Sequence, residues 1–195
     1  METPKFKNKP NDRVKYEFES ESTGIKIKGE YWISRSVAVD GFIFGVKDGL
    51  LHILTIKRSQ YMMDEPNKYA VPSGYLDWNE SGYDAMVREV YEETGLYIYD
   101  IGKYHILSNK KQPFNVITDP ELNKRQNVCL YYIGLFDFPH FKFPDIESFV
   151  SKETTLVKWM SMKEFANQNY EWAFNHDKRI REALVFLKEN DIHYE

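Results

Sequence analysis

Cysteine is nearly absent. Cys129 is the single thiol of the chain, so no intrachain disulfide can form and a reducing compartment suits it best. Long apolar runs are absent as well: no segment approaches the ~18 consecutive apolar residues of a membrane-spanning helix. Met1 to Asn11 is polar and lacks the apolar stretch of a signal peptide. Both absences point to a cytoplasmic protein with no membrane partner. An excess of positive charge is missing too. The 26 Lys and Arg against 30 Asp and Glu leave a net charge of −4 and a pI near 5.8, which gives no general attraction for nucleic acid. Any phosphate binding must therefore be local. The five histidines show no metal-ligand spacing with one another, so a zinc site is not expected. There is no internal repeat and no low-complexity linker.

What is present suits one folded domain. Hydrophobic residues make up 42% of 195 positions, with 14 Tyr and 13 Phe, enough for a substantial core. Residues 1–12 read as a tail. Within Arg13 to Gly29, Val14 to Glu19 and Ile25 to Lys28 alternate strictly, the period of half-buried strands. They read as a hairpin, added to the domain edge or pairing with a second subunit, which leaves a homodimer open. Residues 1–30 are thus a tail and hairpin, and 31–195 a single domain ending in a helix. Ser34 to Val46 reads as a buried strand interrupted near Asp40-Gly41, and Asp48-Gly49 as the turn into a strand from Leu50 to Lys57. Tyr97 to Leu107 reads as a strand, Asn109 to Arg125 as a long polar loop suited to substrate selection, and Gln126 to Phe138 as a strand. Thr155 to Met160 is a further strand. Ser161 then begins a short helix with Glu164 at the capping-box position, and Asp177 to Glu189 forms a last helix with Ile180, Ala183, Leu184 and Leu187 on one face.

The stretch from Gly74 to Leu96 organises the rest. Ser81 is a suitable N-cap with Asp84 three residues on, and Gly95 stands where a helix stops in a left-handed residue. Between them lies a helix of about 13 residues. Its spacing puts Tyr83, Met86, Val87, Val90 and Tyr91 on one arc, the expected buried face, and Glu89, Glu92 and Glu93 on another. Carboxylates one turn apart repel. Such a cluster suits a hard divalent cation with oxygen ligands, Mg²⁺ in particular. Arg88 can reach Glu92 at i,i+4 and hold a carboxylate in place.

These residues resemble the Nudix box, G-x5-E-x7-R-E-U-x-E-E-x-G-U with U aliphatic. Gly74, Glu80, Arg88, Glu89, Val90, Glu92, Glu93, Gly95 and Leu96 meet every fixed position. One departure is Ser73, where the family usually has a second glycine. By strand count alone the chain is α/β or α+β; the resemblance implies a mixed β-sheet sandwiched between helices. It also implies a hydrolase that cleaves the pyrophosphate link of a nucleoside diphosphate joined to another group, with Mg²⁺ or Mn²⁺ to offset charge on the phosphoryl oxygens. Glu92 and Glu93 would ligate metal, and Glu89 would be a ligand or the general base. Arg88 would orient a carboxylate, Glu80 would brace the loop or help with a second ion, and the Ser73 carbonyl would complete a metal shell. Glu153, in a segment resembling one that supplies a further acid in MutT-like members, is a ligand or base, or else a solvated loop residue.

For substrate contacts the resemblance points to Arg58, otherwise a solvated strand end. Among the abundant aromatics, which at strand spacing are usually core, Tyr75, Phe114 and Phe141 are candidates for stacking on a base. Relatives that cleave ADP-ribose tend to carry a proline about 15 or 16 residues beyond the box, and Pro113 lies 17 residues after Leu96, a loose match. ADP-ribose or another nucleoside diphosphate sugar is therefore the first expectation. A nucleoside triphosphate and a non-catalytic ligand sensor are the alternatives.

Overall fold

The computed structural model describes residues 13–20, 22–32, 36–77, 79–100, 104–119, 127–137, 145–167 and 169–192. The chain divides into two compact units, residues 1–35 and 36–195. In the first, β1 (Arg13–Glu19) and β2 (Lys26–Trp32) pair antiparallel. The pairing sets Glu17 opposite Lys28, whose Nζ lies 3.0 Å from the carboxylate.

The second unit is built on a mixed sheet. Its long strands are β3 (Ser36–Lys47), β4 (Leu50–Arg58), β7 (Tyr104–Leu107), β9 (Asn127–Asp137) and β10 (Thr154–Ser161), in the order β10-β4-β3-β9-β7. Three short strands attach to this row: β5 (Tyr69–Ala70) to β4, β6 (Ser73–Tyr75) to β3, and β8 (Asn115–Ile117) to β9. β3 and β9 run parallel and every other pair antiparallel. β3 is buried from Val39 to Val46, which is why it reads as a continuous apolar run; a strand covered on both faces needs no polar alternation. Asp48 and Gly49 both have positive φ, 53° and 78°, as a two-residue hairpin turn requires.

Helix α1 (Gly82–Thr94) covers one face of the sheet, packing Tyr83, Met86, Val87 and Val90 with Val39, Ile43, Tyr132 and Phe136. Helices α2 (Met162–Asn167) and α3 (His176–Glu189) cover the other, where Phe165, Ile180, Ala183 and Leu187 meet Phe42, Phe44, Ile133 and Leu135. The Ser161 hydroxyl accepts from the Glu164 amide at 3.1 Å, opening α2. The sheet between helices agrees with the expected fold. Among the described residues no helix is long and apolar enough to cross a membrane.

Three expectations need correction. Tyr91 is not on the buried face of α1. It is 53% exposed and its ring lies 6.2 Å from that of Tyr97, because the sheet does not extend under that edge of the helix. Tyr97 to Leu107 is not one strand: a 3-10 turn at Ile98–Asp100 precedes β7. The polar loop from Asn109 to Arg125 contains β8, whose Asn115 to Ile117 pairs with Tyr131 to Cys129.

Candidate active site

The box forms a helix because its ends are capped locally. The Ser81 Oγ accepts from the Asp84 amide at 3.2 Å and donates to the Asp84 carboxylate at 2.7 Å. At the other end Gly95 sits at φ 71° and donates to the Tyr91 carbonyl at 2.8 Å, a conformation that costs glycine nothing. One turn inside that end, Glu89, Glu92 and Glu93 leave the helix towards β6.

The three carboxylates are not equivalent. Glu93 is only 2% exposed and accepts from the Ser73 amide at 2.8 Å. Burial pushes its carboxyl well above the usual range, with that one amide and the more distant Arg58 working against it. Glu89 is 8% exposed and is likewise raised by burial, partly offset by Arg88. Its carboxylate lies directly over Gly74, where any Cβ would collide with it, so the glycine that starts the box makes room for the acid. Glu92 is exposed.

Arg88 binds the cluster to the preceding loop. Its Nε and Nη2 donate to the two Glu80 oxygens at 3.2 and 2.7 Å, Nη1 to Glu89 and Glu92 at 2.8 and 2.9 Å, and Nη2 to the Tyr75 carbonyl at 2.9 Å. The hydrogen bond to Glu80 is the main reason the guanidinium is held more basic than usual, and in return it lowers the Glu80 carboxyl. Glu80 also accepts from the Asp77 amide at 2.7 Å, which is the geometry of a loop brace. Among the described residues no three His, Cys, Asp or Glu side chains are already gathered as a cation cage; Arg88 Nη1 lies between Glu89 and Glu92. The donor set nevertheless fits a divalent ion. Two buried acids one turn apart, with a third beside them, carry more negative charge than one guanidinium offsets, and all the donors are oxygen.

These acids stand at one end of a cleft of about 850 Å³. Its lining brings together Arg58, Ser73, Tyr75, Arg88, Glu89, Glu92, Glu93 and Glu153 from the residues expected by sequence. Arg58 is no solvated strand end. It is buried, donates through Nε and Nη2 to the Asp64 carbonyl at 3.3 and 3.1 Å, and stacks on Phe174 at 5.0 Å. Glu153 is exposed at the cleft wall, its carbonyl held by the Ser59 amide at 2.7 Å. Phe114 and Pro113 are not among the lining residues. Phe114 instead packs against Phe42, Tyr131 and Phe186 at 5.7, 6.0 and 5.0 Å, a core role that takes it out of base stacking and leaves Pro113 without a place in the cleft. Phe141 lies outside the described residues.

The sequence reading missed the floor of the cleft, where Asp40, His176 and Arg179 meet. Arg179 Nη1 donates to Asp40 Oδ2 at 2.8 Å, and His176 Nε2 lies 3.6 Å from the same oxygen. His176 Nδ1 accepts from the Val71 amide at 3.1 Å, so the proton sits on Nε2 and the ring is neutral. Burial holds its pKa down to about 4 despite Asp40, with Arg179 and Arg58 adding to the depression. The sign follows from linkage. Between pH 6.5 and about 4 the unfolded chain binds a proton that the folded one refuses, so stability falls as pH drops through that window. The expected loss is about 3 kcal/mol. It is checked by denaturant unfolding of wild type and His176→Gln at each pH; the variant should lack this component.

Comparison with known proteins gives one family and a set of solved structures. The model of the NUDIX domain matches residues 34–183. A mutT/nudix family protein from Listeria innocua superposes with a TM-score of 0.60 at 24% identity, over 80% of this chain and 96% of that one. The NUDIX domain of NrtR from Shewanella oneidensis, complexed with ADP ribose, gives 0.55 at 18% identity, over 80% and 90%. A bifunctional NMN adenylyltransferase/ADP ribose pyrophosphatase from Francisella tularensis, complexed with AMP and a Mn ion, gives 0.56 at 22%, over 80% of this chain and 42% of that one. No curated protein sequence matches.

Proposed function

This chain belongs to the Nudix family, with every fixed position of the box filled, and we propose that this pyrophosphohydrolase cleaves a nucleoside diphosphate linked to a second group, ADP-ribose before others. The observation that carries the reading is the set of Glu89, Glu92 and Glu93 at the end of a cleft of about 850 Å³, tied by Arg88 to Glu80 and Tyr75. Family members generally depend on a divalent cation, and a bound ion supplies charge neutralisation at the phosphoryl oxygens and a more acidic water. Glu92, Glu93 and the Ser73 carbonyl are the oxygens that would hold it, with Glu89 either a further ligand or the general base.

The protein's own groups do the rest. Arg88 fixes the carboxylates before substrate arrives, so no reorganisation is left for the reaction itself. Glu89, whose carboxyl burial raises above its usual range against the pull of Arg88, is the first choice for general base. Glu153, which also lines the cleft, is the second. Arg58 carries the positive charge that faces a pyrophosphate from β4. ADP-ribose is preferred because two of the superposed proteins are described with it, one as a complex and one as a pyrophosphatase.

A panel of ADP-ribose, other nucleoside diphosphate sugars and nucleoside triphosphates, with release coupled to a phosphatase, tests the assignment. ADP-ribose should be cleaved fastest and only with Mg²⁺ or Mn²⁺. Faster cleavage of a triphosphate would favour the MutT-like alternative. Tight ADP-ribose binding with no release from any compound would favour a ligand sensor, the reading that the NrtR complex suggests.

A further inference from the structure

The cleft has a second end, and its chemistry is set by the register of three strands. β6, β3 and β9 align in rows: Ser73, Asp40 and Tyr131 in one, Tyr75, Ala38 and Cys129 in the next, and Ser36 with Asn127 in the last. The first row adjoins the acids, because the Ser73 amide is bonded to Glu93. Asn127 lies four residues along β9 from Tyr131, about 13 Å away, and still lines the same cleft. The row between carries two small side chains, Ala38 and Cys129, with the half-exposed ring of Tyr75 beside them. Small residues on a flat strand pair leave room for a planar ring, and Tyr75 offers it a stacking face.

Asn127 ends this slot in an unusual state. It is 8% exposed, and among the described residues its Oδ1 has no hydrogen-bond partner. A buried carbonyl oxygen without a donor is costly, and such groups in folded proteins call for an explanation. A ligand donor supplies one. We infer that Asn127 reads the nucleobase of the substrate, its Oδ1 accepting from an exocyclic amine while Nδ2 donates to the neighbouring ring nitrogen. An amide presents that acceptor and donor pair, and adenine presents its complement at N6 with N7 or N1. The inference rests on the nucleoside diphosphate reading above and deepens it: the diphosphate lies at the Glu89–Glu93 end, the base over Ala38 and Cys129, and the amino edge against Asn127.

Equilibrium binding separates the two claims, since it needs no turnover. AMP and purine riboside 5′-monophosphate differ only in the 6-amino group, and both are titrated calorimetrically into the full chain. Wild type should bind AMP about 10-fold or more tightly, the effect of one buried acceptor left unmet. Asn127→Leu, of similar size and without the polar atoms, should bind both ligands alike, and Asn127→Ala should do the same should leucine disturb the fold. Equal affinities in wild type, or a preference that survives in either folded variant, would overturn the assignment. ADP-ribose cleavage without a preference between the monophosphates leaves the hydrolase standing and removes this inference. A preference lost in the variants, in a protein that cleaves nothing, supports this inference and removes the hydrolase reading.

Discussion

Glu93→Gln should cost about 10³-fold in turnover, the several kcal/mol of charge stabilisation that a ligating carboxylate provides, and should at the same time raise the melting temperature of the metal-free protein at neutral pH. The two effects share one cause. Glu93 is buried with its carboxyl held well above the usual range. Between the ordinary carboxylate pKa and that raised value the folded state holds a proton that the unfolded state has released, so stability falls as pH rises through the interval and stays low above it. Glutamine carries no charge to bury and can still accept from the Ser73 amide. Glu92→Gln should lose turnover comparably without the gain, because Glu92 is largely solvated. Thermal melts of both variants from pH 5 to 8, beside steady-state rates, check this. A less stable Glu93→Gln would contradict it.

Arg88→Met should fail differently, losing fold stability and activity together. It removes both Glu80 contacts and those to Glu89, Glu92 and the Tyr75 carbonyl, leaving the half-buried acids of the cluster uncompensated. Breaking a fully buried pair costs about 3–5 kcal/mol. With a quarter of the Arg88 side chain solvated, about 2–3 kcal/mol is expected after screening. The depressed Glu80 carboxyl contributes stability above its unfolded pKa that is lost as pH falls through the folded value, and the variant forfeits that contribution at neutral pH. Glu89 loses its main offset to burial, so the acid limb of the pH–rate profile should move to higher pH. Urea unfolding and the pH profile report the two parts separately. Arg88→Lys should restore little, since an ammonium cannot span both Glu80 oxygens.

The local features of this protein are legible in its sequence, and the long-range ones are not. α1 could be bounded at both ends because Ser81, Asp84 and Gly95 act within a turn of where they stand. β3 and β9 could be found because strands buried on both faces are largely apolar. Tyr91 shares the apolar arc of α1 yet is exposed, because a helical arc says which residues share a face, not how far the sheet beneath extends. Phe114 stands in a polar stretch, yet its ring reaches the core against Phe42 and Phe186. Asp40 looked like an interruption in a strand, yet it is a buried acid whose partner Arg179 lies 139 residues away. A signal was present: an Asp within an apolar run needs a partner, and His176 and Arg179 continue the stripe of Ile180, Ala183 and Leu187 on α3. Neither half could name the other without the fold.

The most direct test of the account is release from ADP-ribose by wild type, with Mg²⁺ and with a chelator, beside Glu92→Gln. Release that needs the cation and falls by orders of magnitude in a variant that still melts cooperatively is the predicted result. Release that ignores the chelator, or that continues at the wild-type rate in Glu92→Gln, would contradict the placement of the chemistry on these carboxylates.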